Sequence, residues 1–272
     1  MHHTSKFLVT SLFVVMCSCS TNPFTGEKHL DIFGNSEIFA SSFQSYTSFL
    51  NENKVITNTT DANRIKTVGM NIRKSVEIYL KSVGQENYLN GYSWEYNLVE
   101  DPSVNAWCMP GGKIVFYTGI IPVCQNDAGI ATVMGHEIAH ALLNHGKRRM
   151  QTAYGIALGG AVLEVASEKK SPEAQKAIAM AYAGGAQFGV LLPFSRNHET
   201  EADELGLRLM AIAGYNPENA ISFWKRMAAQ SGGNEPAEWM STHPSNTTRI
   251  NNIQKMIPKV KEEAKKFGVV FK

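Results

Sequence analysis

A chain of 272 residues with 43% hydrophobic side chains can bury a sizeable core and suits one large domain. Its 26 basic and 24 acidic residues leave a net charge of +2, and only 18% of the chain is charged, which gives no polyelectrolyte signal and no compositional support for a nucleic-acid partner.

At the N-terminus Lys6 precedes an apolar run from Phe7 to Met16, followed by Cys17-Ser18-Cys19-Ser20. About ten apolar residues are half of the roughly 20 that a membrane-spanning helix needs, so residues 1–18 read as a secretory signal. Cys19, after the small Ser18, is similar to the cysteine at which bacterial lipoproteins are cut and acylated, although Met16 departs from that pattern. The expectation is an envelope lipoprotein held to a membrane through Cys19, with Ser20 favouring the outer membrane and a periplasmic face. Plain secretion and a retained anchor are the alternatives. Cys108 and Cys124 remain in the body of the chain, either paired or as two buried thiols, and two cysteines cannot build a structural zinc cage.

Residues 19–35 mix Pro, Gly and polar residues without period and read as a tether to a single domain over 36–272. Helical spacing is present over 37–51 and 61–83, the second with Asp61 as N-cap and a stripe of Ile65, Val68, Ile72, Val76 and Tyr79. After the turn signal Asn90-Gly91, Tyr92, Trp94, Tyr96 and Leu98 alternate with polar residues as in a half-buried strand. Strands at 104–108 and 113–117, joined by Pro110-Gly111-Gly112, complete a small antiparallel sheet. From Asn126 the pattern predicts helices over 126–145, 150–166, 172–187, 198–213, 217–230 and 246–256, with Gly146, Gly214 and Gly232 as C-caps. The Gly- and Ala-rich stretch 154–190 is broken by Glu164 and Glu168-Lys169-Lys170, which argues for a helical flap over a membrane span. The basic run Lys255 to Lys266 reads as a solvated helical face. The fold class is therefore α+β, mainly helical, with a small sheet beside the helix that follows Asn126.

That helix carries His136-Glu137-Ile138-Ala139-His140, the H-E-x-x-H pattern. Residues four apart lie one turn apart on the same face, so both imidazoles can ligate one metal ion, and Glu137 beside them can take a proton from an activated water. A hydrolytic zinc ion takes three protein ligands and keeps one position open. The candidate third ligand is Glu199, which opens Glu199-Thr200-Glu201-Ala202-Asp203 at a predicted helix start 59 residues after His140. Asp203, one turn on, can accept the free N–H of a ligating imidazole. Alternatively all three acids merely complement the positive end of the helix dipole.

With Val104-Asn105-Ala106-Trp107 and Pro110-Gly111-Gly112 before it, and Ser195-Arg196 and Ser241-Thr242-His243-Pro244 after it, this array resembles the gluzincin zinc metallopeptidases of peptidase family M48 over about Trp94 to Ile250. The likeness is greatest to lipid-anchored bacterial members without membrane helices, and the chain shows no 34-residue repeat of the kind that extends some relatives. The resemblance implies one zinc ion per chain on His136, His140 and Glu199, with Glu137 as base and Asp203 behind a ligand; Glu201 is then not a ligand. It implies that Asn105 and Ala106 contact the backbone of an extended substrate. His243 would bind zinc in a resting form or donate to the oxyanion, and Arg249 would support that oxyanion. His145 reads as a helix-end residue and His198 as a surface residue. The expected function is endopeptidase cleavage of unfolded or misassembled envelope proteins; the alternative is a metal-bound chaperone that holds clients and cuts little.

Overall fold

A computed structural model describes residues 18–31, 34–151, 194–230, 238–243 and 247–271. The leader residues 1–17, Gly232 and nearly all of the helices expected over 150–166 and 172–187 lie outside that set.

The stretch expected to be an irregular tether instead closes into a hairpin of β1 (Ser18–Thr21) and β2 (Lys28–Asp31), with Cys19 opposite Leu30. Asn22 and Gly26 make the turn: the Asn22 amide donates to the Glu27 carbonyl at 2.9 Å and that of Gly26 to the Asn22 carbonyl at 2.8 Å. The side chain of Asn22 donates to the carbonyl of Leu142 at 3.0 Å, and Phe24 stacks on Tyr79, so polar and apolar contacts both hold this segment to the domain.

Next come α1 (Asn35–Glu52), the two-residue β3 (Val55–Ile56) and α2 (Thr60–Ser82). The cap of α2 is Thr59, whose hydroxyl accepts from the Ala62 amide at 3.2 Å; Asp61, expected in that role, pairs with Arg64 instead. Four of the five predicted stripe residues, Ile65, Val68, Ile72 and Val76, are fully buried, but Tyr79 is only partly covered and Leu80 takes the last core position.

The sheet contains β3, β4 (Glu95–Val99), β5 (Ala106–Met109) and β6 (Lys113–Tyr117) in the order β3-β4-β6-β5. It is mixed, not antiparallel: β5 and β6 form the expected hairpin, but β6 lies parallel to β4. The cause is burial. Ile114, Val115 and Phe116 are wholly covered and take the middle of the sheet, whereas Trp107, Cys108 and Met109 are partly exposed and suit an edge. Cys108 and Cys124 are both free thiols.

After the short α3 (Ile121–Cys124), α4 (Asp127–Leu142) is capped as expected by Asn126, whose side chain accepts from the Gly129 amide at 2.9 Å. It stops three residues early. Asn144, with φ of 55°, makes the left-handed turn expected of Gly146, and helical structure resumes over 145–151. The rest is α5 (Arg196–Ile212), α6 (Asn219–Gln230), α7 (Glu238–Thr242) and α8 (Thr247–Lys265). Ser195 caps α5 by accepting from the His198 amide, and Gly214 follows its end with φ of 88°, the C-terminal role expected of it. Helix α8 runs through Pro258, past the predicted end at 256, because Ile257, Val260 and Ala264 on its inner face are buried and offset the lost hydrogen bond. No helix among the described residues is long and apolar enough to cross a membrane.

Helices α4 and α5 cross at Gly135 and Gly206, and this contact sets the geometry of the site. A Cβ on Gly135 would meet the Gly206 carbonyl oxygen at 2.8 Å, and one on Gly206 would meet the His136 amide nitrogen at 2.9 Å. Backbone blocks both, so the helices would have to separate. Gly206→Ala is therefore expected to cost about 1–3 kcal/mol, the usual penalty for overpacking, and to weaken metal binding as well. Urea denaturation with a metal titration checks this; an unchanged midpoint would contradict it.

Candidate metal centre

The crossing of α4 and α5 brings His136 and His140 against Glu199 and Asp203, and the turn after α7 adds His243. All five are buried. His136, His140, Glu199 and His243 each offer one ligand atom, and these atoms all lie within 4.8 Å of one another.

Proton placement shows why a cation fits. Asp203 Oδ1 lies 3.1 Å from His136 Nδ1, so that nitrogen carries the proton and Nε2 presents a lone pair. Nε2 of His136 and Nε2 of His140 are 3.1 Å apart, and Nε2 of His140 is 3.3 Å from Glu199 Oε1. Two imidazole nitrogens and a carboxylate thus converge in a buried space, an arrangement that a metal ion resolves. Burial pushes the pKa of His140 well below its ordinary value, which keeps it in the neutral form a ligand needs. Burial opposes the charge on Glu199, yet the surrounding imidazoles of His140, His243 and His136 hold its carboxyl far below the usual range. Asp203 is likewise opposed by burial but held low by Arg249 and His136.

His243 places Nδ1 3.0 Å from Glu199 Oε1 and 3.2 Å from His136 Nε2, at the fourth corner of the set. Glu137 stands alongside: its Oε1 accepts from the indole N–H of Trp239 at 2.7 Å and lies 3.5 Å from His243 Nε2. Trp239 is fully buried and stacks on Trp224. It was missed in the sequence, where only its place four residues before His243 hints that both line one helical turn.

Arg249 adds a buried cation to this cluster. Its guanidinium binds both oxygens of Asp203 at 2.7 and 2.8 Å, pairs with Glu199 Oε2 at 2.7 Å without hydrogen-bond alignment, and lies 3.6 Å over the Trp224 ring. It is buried beside His136, with Nη2 3.3 Å from His136 Nε2, and is engaged by two carboxylates. His145 does stand at a helix end, at the start of the segment 145–151, but it is fully buried, with Nδ1 2.9 Å from His140 Nδ1 and Nε2 3.0 Å from Glu201 Oε2. His198 is not a plain surface residue either, since its ring stacks on that of His145 at 4.3 Å.

Ala106 opens β5, the edge strand of the sheet, with Asn105 just before it, and β5 runs beside α4. The Tyr117 amide donates to the Asn105 carbonyl, so by alternation the amide and carbonyl of Ala106 face the open edge. There the Ala106 amide donates to the side-chain oxygen of its neighbour Asn105 at 2.8 Å.

The sequence profile described as Peptidase family M48 matches residues 71–257, which include every residue of this cluster. The chain belongs to peptidase family M48. Its metallopeptidase domain is similar to the mitochondrial metalloendopeptidase OMA1 of Saccharomyces cerevisiae, 39% identical over 197 residues, covering 70% of this chain and 54% of that protein. The corresponding protein of Schizosaccharomyces pombe is 36% identical over 66% of this chain and 51% of its own length. The beta-barrel assembly-enhancing protease of Yersinia pestis is 28% identical over 65% of this chain and 38% of its own length. The chain thus spans about half the length, or less, of these curated M48 relatives. They also overturn the expected location: the two fungal relatives, at higher identity than the bacterial one, are mitochondrial proteins, which points away from a lipoprotein of the bacterial outer membrane.

Proposed function

We propose that this M48 domain is a zinc-dependent endopeptidase that cuts polypeptide segments presented in extended form, as in unfolded or misassembled proteins. The observation that carries the proposal is the convergence of His136 Nε2 and His140 Nε2 on the Glu199 carboxylate, with Glu137 alongside. Two neutral imidazoles and a carboxylate are the donor set of hydrolytic zinc sites. When bound, zinc supplies the Lewis acidity that acidifies a water and polarises a carbonyl.

The chain's own groups do the rest. Glu137 receives the proton on Oε2, because Trp239 occupies Oε1 and fixes the carboxylate plane. Asp203 keeps the proton of His136 on Nδ1, and Arg249 keeps Asp203 charged. His243 stands at the fourth corner, so it yields that corner to substrate or turns its ring towards the developing oxyanion.

The open edge of β5 accepts a peptide strand: Asn105 releases the Ala106 amide, and the amide and carbonyl of Ala106 pair with substrate backbone. Main-chain pairing demands an extended segment and reads no side chain. The test is a single protein offered to the zinc-loaded chain in two forms, native and reduced with blocked thiols. Cleavage of the unfolded form alone is expected, and equal cleavage of the folded form would contradict strand pairing.

A further inference from the structure

We propose that His145 is a positioning residue for His140, and that Glu201 fixes the proton on His145. One imidazole of the metal centre is then backed by a carboxylate and the other by a histidine relay. The inference rests on the zinc-site reading above.

The two backings differ in kind. His136 meets Asp203 directly, whereas His140 meets His145, nitrogen to nitrogen, at 2.9 Å, and His145 meets Glu201 at 3.0 Å. Two imidazole nitrogens at that distance share one proton, so its owner must be decided. An ionised carboxylate only accepts. Glu201 therefore draws the proton of His145 to Nε2, which leaves Nδ1 of His145 as an acceptor. His140 must then donate from Nδ1, and its Nε2 is left bare towards the metal. The opposite tautomer would place a proton on His140 Nε2, facing His136 Nε2 and Glu199 where a ligand lone pair is needed.

The chain is shaped for this contact. In an unbroken helix, residues five apart point to different faces. The left-handed Asn144 interrupts α4 between the two histidines and swings His145 back beneath His140. Full burial keeps water from competing for the shared proton, and the stacked His198 ring fixes the His145 plane at an interplanar angle of 16°. Arg148 lies 3.3 Å from Glu201 and 3.5 Å from Glu27, so the outer end of the relay is held in its charged form and tied to the N-terminal hairpin.

The experiment is zinc affinity by chelator competition, with the visible absorption of the cobalt-substituted protein as a second readout, on the full chain. His145→Phe keeps the ring volume and removes the acceptor; it is expected to weaken zinc by 10- to 100-fold and to change the cobalt bands. His145→Asn, whose Oδ1 can take the place of Nδ1, is expected to stay within about threefold of the native affinity. Glu201→Leu, which leaves the inner contact but frees the tautomer, falls between them. Native affinity and native cobalt bands in His145→Phe overturn the proposal, as does His145→Asn binding as weakly as His145→Phe. Should His145→Phe fail to fold, Glu201→Leu decides: native affinity there overturns the relay. A native chain that takes up no zinc would overturn the metal site itself, whereas tight native binding with unaffected variants overturns only this relay.

Discussion

Glu137→Gln is expected to lower peptide cleavage by about 10³- to 10⁴-fold, the upper range for a positioned general base, while zinc stays bound. The substitution is nearly isosteric. The amide oxygen still accepts from Trp239, so the packing of α4 against α7 is kept. What is lost is, among the described residues, the carboxylate beside the ligand set that Arg249 does not engage, since Glu199 and Asp203 are both held by Arg249 and by histidines. Single-turnover cleavage of casein, with zinc measured on the same sample, reads both quantities. A rate within about tenfold of native would show that Glu137 is not the base. A function confined to holding unfolded clients would survive the change altogether.

Arg249→Met is expected to destabilise the fold by about 3–5 kcal/mol, the cost of stripping a buried charge of its partner. Arg249 is enclosed by Asp203, Glu199, the His136 ring and the Trp224 face, and methionine replaces its packing without its charge. Two buried carboxylates then face each other with less compensation. Acid sensitivity should follow. The carboxyl of Asp203 is held low in the folded chain, so its contribution is present above the unfolded pKa of about 3.9 and lost as pH falls through the folded value. Without Arg249 the folded value rises, and acid unfolding begins at higher pH. Urea midpoints at neutral and acid pH measure both effects, and a loss under about 1 kcal/mol would contradict the account.

The helices that carry the site were legible because their signals are local. The stripe of α2, the Asn126 cap and the His136, Glu137, His140 spacing each lie within a few turns of chain. Glu199 and Asp203 were legible because one turn separates them and only a partner helix was needed. The parallel pairing of β4 with β6 was hidden, since strand order is decided by which strand buries both faces after the hairpin has formed. The contacts of His145, Trp239 and Arg249 were hidden for a related reason. Each depends on how one element is aimed at another: a left-handed Asn144, a short helix packed on α4, and α8 laid across α5. The irregular composition of residues 19–35 concealed a hairpin whose hold on the domain runs through the side chains of Asn22 and Phe24.

The most direct test of the central claim is metal-dependent cleavage by the native chain. Casein should be degraded by protein carrying one zinc per chain, the activity should vanish on chelation, and one equivalent of zinc should restore it. One zinc per chain without any cleavage of unfolded protein, or cleavage that persists after the zinc is gone, would contradict it.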